Sequence, residues 1–307
     1  MVAESTHFSK INGNIISHNQ YKITGVSLPR VDCKLIQSPN KPTNLALTAR
    51  LVKLLKSFFI ITFAFFFLHT ACYAEDCSSK AFDTKGLVTF VNDGDTVKLA
   101  NGKKIRLIAI NAPEMNYRSG SPEPLARKAK RKLERLVLNK RVGIKYGREK
   151  EDRYGRKLAH IFLLDGTNVQ SALLKTGLAF GISIPPNLWR YNCYRNTEKH
   201  AKKHKLGIWG SAYFSAIPAH KISKRKLGFQ RVLGTIHRVS QSSKHVMMHI
   251  EPNLTLKIRK KHLRFFKSFS PKNLQGKSII ATGWLSAKQK AFSMYVKHPS
   301  AIEIYRL

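Results

Sequence analysis

A run of short alternating segments between residues 86 and 110 most constrains the fold of this chain. Apolar and polar residues alternate in three predicted strands, at 87–91, 97–99 and 105–110. Asp93-Gly94 lies in the turn between the first two strands, and Asn101-Gly102 joins the second to the third. An Asn-Gly pair between alternating segments is a strong local signal for a β-hairpin. The sequence therefore predicts an antiparallel meander of three strands.

Two further strands and three helices are predicted before residue 210. The strands are at 142–146 and 158–163, and the later helices are at 168–176 and about 197–206. The first helix is predicted to open at Ser121-Pro122-Glu123, with Ser121 as N-cap and Pro122 at the first helical position. Five strands with interleaved helices, the first three strands a meander, fit a small OB-type β-barrel. We therefore expect a mainly β fold with some α-helix (α+β) over residues 82–210.

The C-terminal third is also mostly β-strand by its pattern. Residues 211–225 are predicted to be a linker, and residues 226–307 an accessory domain. Its predicted strands are at 229–239, 246–250, 255–258, 278–285 and 293–296, with a short helix near 261–266. We interpret it as a small β-rich unit, with an OB-like fold that contacts nucleic acid through the basic run at 257–261. A packing domain without a ligand is the alternative.

A targeting segment is predicted near the N-terminus. Basic residues precede an apolar run at 58–68, and small residues follow it up to Ala74. This pattern is typical of a secretory signal at 51–74 that is cut after Ala74. The apolar run is shorter than the roughly 20 residues that span a bilayer. A retained membrane anchor and a lipid on Cys72 are the alternatives.

The expected location of the mature chain follows from that signal. We expect a secreted or periplasmic protein with no stable membrane span after cleavage. Residues 1–50 are predicted to be disordered or a mis-assigned extension, the second if translation begins near Leu51. Of the four cysteines, Cys77 and Cys193 would remain after cleavage, and two cysteines in an exported chain most simply form one disulfide.

The net charge points to a polyanionic partner. The chain has 55 Lys and Arg against 17 Asp and Glu, which gives a formal charge of +38. Such an excess favours nucleic acid as the partner, followed by anionic membranes or cell-wall polymers. The alternative is that the basic residues only keep the protein soluble. Tyr117, Trp189, Tyr191 and Tyr194 are candidates for stacking on bases, although packing explains them as well.

Carboxylates and arginines suited to phosphate chemistry cluster in two stretches. The first runs from Asp95 through Arg106 to Glu114, and the second, at 152–156, ends at Arg156. Acidic oxygens can hold a hard cation, a nearby carboxylate can act on water, and two guanidinium groups can grip a phosphate. The sequence therefore predicts a site that cleaves phosphodiester bonds.

The order of these motifs resembles the staphylococcal nuclease (thermonuclease-like) family. The matching segments are 93–99, 105–107, 112–114, 152–156, 158–159 and 206–209. They fall within residues 82–210, and the basic unit that follows is similar to that of exported bacterial members with an extra C-terminal domain. The resemblance implies hydrolysis of DNA and RNA with little sequence preference, leaving 3′-phosphates.

The resemblance also implies roles for individual residues. Arg106, Glu114 and Arg156 would be catalytic. Asp95, the side chain of Asn111 and the backbone carbonyl of Ala112 would hold a Ca²⁺ ion. The family usually has aspartate at the position of Asn111, so one ligand charge is missing, and Ca²⁺ affinity follows ligand charge. We expect Ca²⁺ binding to be weaker by a factor on the order of ten, which corresponds to ~1.4 kcal/mol.

The leading hypothesis is thus an exported, monomeric, Ca²⁺-dependent nuclease that acts on DNA, with RNA as a further candidate substrate. One alternative is a catalytically impaired protein that binds nucleic acid with the same barrel and basic surface. Attachment to anionic envelope polymers is a third hypothesis.

Overall fold

The structure is a computed structural model, and it describes residues 77–117, 120–267 and 270–306. The predicted extension at 1–50, the predicted signal at 51–74, Cys33 and Cys72 lie outside these residues. Within the described ranges, no helix has both the length and the apolar character needed to cross a membrane.

A closed five-stranded barrel forms the first part of the described chain. Its strands are β1 (Thr84–Val91), β2 (Thr96–Leu99), β3 (Lys104–Leu107), β5 (Arg141–Glu151) and β6 (Lys157–Phe162). They close in the order β1-β2-β3-β6-β5, with β1 antiparallel to β5 and β3 parallel to β6. Alternate residues such as Val88, Val97 and Ile105 point into the core and are fully buried. The predicted OB-type barrel is confirmed.

The third strand ends earlier than predicted. β3 stops at Leu107, and Ala109 has a left-handed backbone with φ of 67°. Because a left-handed residue reverses the chain direction locally, the prediction of one strand over 105–110 is wrong. The next strand, β4 (Ile110–Asn111), instead pairs with β7 (Phe180–Gly181). This separate ladder fixes the backbone of Asn111.

Three α-helices accompany the first barrel: α1 (Ala126–Val137), α2 (Val169–Lys175) and α3 (Tyr191–Lys203). The prediction that Ser121 caps α1 is wrong. Leu125, with φ of 67°, directly precedes the helix, and the backbone N–H of Glu123 donates to the Glu114 carbonyl at 2.9 Å. Residues 121–125 therefore belong to a loop that is paired with the segment around Glu114.

The start of α2 agrees with the sequence prediction, whereas the start of α3 does not. Asn168 caps α2, since its side-chain oxygen accepts from the Ser171 N–H at 2.8 Å. α3 begins at Tyr191, six residues before its predicted start. The first turn contains Tyr191, Asn192 and Cys193, residue types of modest helix propensity, and burial of Cys193 and Tyr194 outweighs that preference.

The predicted disulfide is present. Cys77 and Cys193 are bonded, with 5.7 Å between their Cα atoms and a sequence separation of 116. The bond ties the start of the described chain to the first turn of α3.

A second barrel is built from the C-terminal third. Its strands are β9 (Gly228–Gln241), β10 (His245–Ile250), β11 (Leu254–Arg259), β12 (Ser278–Lys288) and β13 (Ala291–Tyr295). They pair in the order β9-β10-β11-β13-β12, and β12 also pairs with β9, so the ring closes. β11 and β13 run parallel. This is the strand order of the first barrel, so the predicted β-rich, OB-like second unit is confirmed.

Short elements complete the second barrel. The predicted linker segment contains β8 (Ile217–Pro218), which lies parallel to β9, and β14 (Ile302–Ile304) adds to the edge of β12. Two 3₁₀ helices, Lys260–Phe265 and Pro271–Leu274, occupy the connection from β11 to β12.

The two barrels meet through aromatic and charged side chains. Phe180 of β7 packs on Phe229 of β9, with ring centroids 5.1 Å apart. Glu198 of α3 accepts from the Gly181 N–H at 2.7 Å, and its neighbour Lys202 contacts Glu303 of β14 at 2.5 Å. Because Gly181 pairs with Ile110, this interface adjoins the β4–β7 ladder that holds Asn111.

Candidate active site

The turn between β1 and β2 places Asp95 at the edge of the barrel. Asp93 accepts the backbone N–H of Asp95 at 3.0 Å, the local bond by which Asp stabilises turns. Gly94 is required here, because a Cβ atom on it would lie 2.6 Å from the Ala112 Cβ and 2.8 Å from the Ala129 Cβ. This close contact brings the turn against the segment that follows Asn111.

Asp95 and Arg106 form a buried ion pair. The hairpin register sets Thr96 opposite Arg106, and the Arg106 Nη2 atom lies 2.9 Å from Asp95 Oδ2. The Nη1 atom donates to the carbonyls of Leu107 at 2.6 Å and Ile110 at 3.1 Å. A guanidinium inside an apolar strand needs such partners, and here they fix its position.

Asn111 and Ala112 join this pair through the turn at Ala109. Arg106 Nη2 donates to Asn111 Oδ1 at 3.1 Å, and the Ala112 backbone N–H donates to Asp95 Oδ2 at 2.8 Å. The oxygens of Asp95 and Asn111 therefore converge on one nitrogen of Arg106.

Glu114 lies beside this group on an exposed loop. Its backbone N–H donates to the Glu123 Oε2 atom at 2.8 Å, which ties the loop to the segment before α1. Desolvation by the surrounding protein raises the pKa of the Glu114 carboxyl, and the negative charge of Asp93 raises it further. Arg106 and Arg156 act in the opposite direction. Both arginines are thus close enough to Glu114 to influence its charge.

Arg156 is held by the turn between β5 and β6. Its Nε and Nη2 atoms both lie 2.8 Å from Asp152 Oδ2, and Asp152 Oδ1 accepts the Tyr154 N–H at 2.9 Å. Tyr154 covers the guanidinium, with 5.6 Å from Arg156 Cζ to the ring centroid. The Arg156 side chain keeps 30% of its surface exposed, so it remains accessible to a ligand.

Electrostatics link the predicted residues into one site. Burial raises the pKa of Asp95 to about 7, although Arg106 and the Ala112 N–H oppose the shift. Asp93 and Glu114 add to the rise. The structure thus gathers Asp95, Arg106, Asn111, Ala112 and Glu114, with Arg156 near enough to act on Glu114. The catalytic and metal-binding roles of these residues stay predictions.

The donor set suits a hard cation. A carboxylate from Asp95, an amide oxygen from Asn111 and the carbonyl of Ala112 are oxygen ligands of the kind that Ca²⁺ takes. Burial is the main cause of the raised pKa of Asp95, and the charges of Asp93 and Glu114 add to it. A divalent ion beside Asp95 would favour its charged form. In the described part of the chain, no group of three or more His, Cys, Asp and Glu side chains is placed to hold a metal.

Sequence reasoning missed several neighbours of the site. Asp93 and Glu123 bear on Glu114, and Asp152 positions Arg156. The Asp152 contact had a signal, since an aspartate just before a Gly-containing turn often accepts its N–H groups. The contact between Glu123 and Glu114 had no sequence signal, because it depends on the conformation of the loop before α1.

The aromatic candidates separate by exposure. Tyr194 is 2% exposed and its hydroxyl contacts His160 Nδ1 at 2.7 Å, so it cannot stack on a base. Trp189 packs against the core of the first barrel. Tyr117 is exposed, and its hydroxyl donates to the Asn92 carbonyl at 2.6 Å, close to the site.

Part of the chain is similar in sequence to known nucleases. A sequence model described as "Staphylococcal nuclease homologue" matches residues 104–211. A thermonuclease of Staphylococcus intermedius is 35% identical over 127 residues, which cover 40% of this chain and 74% of that protein. The chain belongs to the staphylococcal nuclease family. An uncharacterized endonuclease of Escherichia coli O157:H7 is 31% identical over 139 residues, 42% of this chain and 80% of that protein.

The family-model match begins at β3, so it includes Arg106, Glu114 and Arg156 but not β1, β2 or Asp95. Endonuclease YncB of Bacillus subtilis (strain 168) is 34% identical over 125 residues. These cover 39% of this chain, and the chain spans 59% of YncB. The region matched by the family model ends at residue 211, before the second barrel begins.

Proposed function

We propose that the first barrel is a nuclease that hydrolyses phosphodiester bonds of DNA, and of RNA, in a Ca²⁺-dependent reaction that leaves 3′-phosphates. The observation that carries the proposal is the convergence of Asp95, Arg106, Asn111 and Glu114, with Arg156 alongside. Relatives named thermonuclease and endonuclease support the same activity.

The metal ligands would be Asp95, Asn111 and Ala112. When bound, Ca²⁺ would neutralise part of the charge on a substrate phosphate and so ease attack by water. Asp95 supplies the formal negative charge of this set, and the Ala112 N–H and Arg106 hold its carboxylate in place.

Glu114 acts on the water molecule. It lies on the exposed side of the Asp95–Arg106 pair, where its carboxylate can orient or deprotonate an incoming water. A raised pKa makes the carboxylate a stronger base, which suits this role.

The arginines act on the phosphate. Negative charge builds on the phosphoryl oxygens as water adds, and planar guanidinium groups can donate two hydrogen bonds to such oxygens. Asp152 and Tyr154 hold Arg156 so that it needs little reorganisation to do this. Arg106 contributes mainly its positive charge, because its Nη1 and Nη2 atoms already donate to Leu107, Ile110, Asn111 and Asp95.

A digestion assay tests the proposal. Single-stranded DNA and RNA are incubated with the protein in Ca²⁺ and then in excess chelator, and product ends are identified by mass spectrometry. The proposal predicts cleavage with Ca²⁺ alone and products that end in 3′-phosphate. Tight, salt-sensitive binding without cleavage would favour the alternative of a non-catalytic nucleic-acid-binding protein.

We also propose that the protein is exported and monomeric. The predicted signal at 51–74 and the Cys77–Cys193 disulfide, a bond typical of oxidising compartments, support export. N-terminal sequencing of protein recovered outside the cytoplasm should begin at Glu75, and sedimentation should give the monomer mass. Retention on cell walls after nuclease treatment would point instead to envelope polymers.

A further inference from the structure

The outer face of β10, β11 and β13 is the ligand face that an OB fold would use. β10 and β11 are the second and third strands of their ring, and OB folds bind oligonucleotides or oligosaccharides on this face. Burial alternates along these strands, with Met248, Leu256 and Met294 in the core. The side chains that point outward include His245, Met247, Lys257, Arg259 and Tyr295. We call these five residues the outer platform.

Tyr295 is the exposed aromatic residue of the outer platform. Its side chain is 45% exposed, and Lys257 is its partner across the β11–β13 ladder. The Arg259 guanidinium lies 5.5 Å from the centroid of its ring, and the His245 ring lies 5.8 Å away. An exposed ring flanked by cations is the combination with which single-strand binders stack a base and contact the adjoining phosphates.

The charge around the platform favours a polyanion. Residues 228–306 contain two carboxylate side chains, Glu251 and Glu303. Glu303 is engaged by Lys202 and Arg231 at the interface between the barrels. The cations of the second barrel thus greatly outnumber its carboxylates, and single-stranded nucleic acid would supply the missing negative charge.

Cations continue from the platform toward the first barrel. Lys297 follows β13, and burial lowers the pKa of its ammonium group. Glu149 opposes that shift, whereas Arg259, Lys261 and Arg153 lower the pKa further. The Val296 N–H donates to the Lys257 carbonyl at 2.9 Å, and Val296 is buried between exposed Tyr295 and exposed Lys297, so Lys297 extends the outer face next to Tyr295.

We propose that the outer platform binds single-stranded nucleic acid, with a base stacked on Tyr295 and phosphates held by Lys257, Arg259 and Lys297. On a strand long enough to reach the site at Arg156 as well, the second barrel holds the substrate while the first cuts it. This inference rests on the proposed nuclease function for its second half only.

Binding without cleavage tests the platform. The full chain is titrated against a fluorescently labelled 20-nucleotide deoxythymidine oligomer in excess chelator, and anisotropy gives the dissociation constant. Tyr295→Ala should weaken binding about tenfold, the factor that ~1.4 kcal/mol gives and within the range for one base stacked on an aromatic ring. Tyr295→Phe keeps the ring and should bind like the parent. Tyr305→Ala, at an exposed tyrosine beyond β14, is the matched control and should also bind like the parent.

Two results would overturn the platform. One is a Tyr295→Ala protein that binds as tightly as the parent. The other is equal weakening by Tyr295→Ala and Tyr305→Ala. Arg259→Glu provides a second variant on the same face, and it should weaken binding more than Lys272→Glu, which changes the charge on a 3₁₀ helix that packs against β9.

Cleavage kinetics separate the platform from the nuclease proposal. With Ca²⁺, Tyr295→Ala should raise KM for the 20-nucleotide oligomer about tenfold, leave kcat unchanged, and leave a four-nucleotide substrate unaffected. Equal effects on both substrates would contradict the platform. A chain that cuts neither substrate, yet binds in a Tyr295-dependent way, would support the platform and overturn the nuclease function.

Discussion

The two barrels share one strand order but differ in what their connections carry. In the first barrel the β1–β2 turn holds Asp93 and Asp95, whereas the equivalent β9–β10 turn of the second, at 242–244, reads Ser-Ser-Lys. The turn between the last two strands contains Asp152 and Arg156 in the first barrel. Its counterpart in the second is the short Gln289-Lys290 turn.

The difference shows that the barrel strands act as a scaffold, whereas the turns and loops between them carry most of the candidate catalytic residues. Both rings are stabilised by inward-facing Val, Ile and Leu side chains, to which the second ring adds Met248 and Met294. In the first ring, turns place Asp95 and Asp152 where they pair with Arg106 and Arg156. Function therefore follows from the residues placed on the fold, and the second ring is left with a basic and aromatic surface.

Removal of the disulfide should reveal the largest difference between the two barrels. The Cys77–Cys193 bond joins cysteines with a sequence separation of 116 and belongs to the first barrel. Replacing both cysteines by alanine should lower the free energy of unfolding by about 2–5 kcal/mol, as for native disulfides in small exported domains. Urea unfolding measures this, and reduction of the parent protein should give a similar loss. A change under about 0.5 kcal/mol would mean that the bond adds little to the barrel.

Arginine substitutions should distinguish the barrels by activity. Arg156→Ala should lower the cleavage rate by ~10²–10³, the effect of removing one donor to the transition state. Arg156→Lys should also lose activity, since lysine lacks the planar fork. Arg306→Ala, an exposed arginine after β14, is the control and should cleave a four-nucleotide substrate at the parent rate. Equal loss in both alanine variants would contradict a site confined to the first barrel.

Each barrel contains a buried histidine that should make the protein sensitive to acid. Burial lowers the pKa of His160 to about 3, and burial likewise lowers the pKa of His298 to about 4. Both stay neutral in the folded state and take up a proton on unfolding below about 6.5, so stability present above that pH is lost as the pH falls.

For His160 the loss between pH 7 and pH 5 is about 2 kcal/mol. His160→Gln should remove that part of the loss in urea titrations at the two pH values, and adding His298→Gln should remove more. A His160→Gln protein with the full parental loss would show that this histidine does not set the acid sensitivity.

The Asn111 substitution should give the smallest of these effects. Asn111→Asp adds a charge to the proposed ligand set, so half-maximal activity should need about tenfold less Ca²⁺. The matched control is Asn101→Asp in the exposed β2–β3 turn, which should not change the requirement. An unchanged requirement in Asn111→Asp would mean that this side chain does not bind the ion.

The strands were predictable from sequence because alternation and turn chemistry are local signals. Asn101-Gly102 marked the β2–β3 hairpin, and the segment 246–250 was predicted within one residue of β10. The break at Ala109 was not predictable, because a left-handed alanine is stabilised by distant contacts between β4 and β7. The loop before α1 was missed for the same reason, since Glu123 is held by Glu114.

The site was predictable as a set of residue types but not as a network. The motifs pointed to Asp95, Arg106, Glu114 and Arg156, all of which lie at turns or strand ends. That Arg106 Nη2 would contact both Asp95 and Asn111 depends on the path of the chain after Leu107. The Phe180–Phe229 contact likewise depends on how the second barrel packs against the first.

Glutamate exchange in the two barrels tests most directly whether the chemistry resides in the first. The initial rate of Ca²⁺-dependent cleavage of a four-nucleotide substrate is measured for Glu114→Gln and for Glu251→Gln, an exposed glutamate of the second barrel. The account predicts a loss of ~10²-fold or more for Glu114→Gln and the parent rate for Glu251→Gln. Parental activity in Glu114→Gln would contradict it.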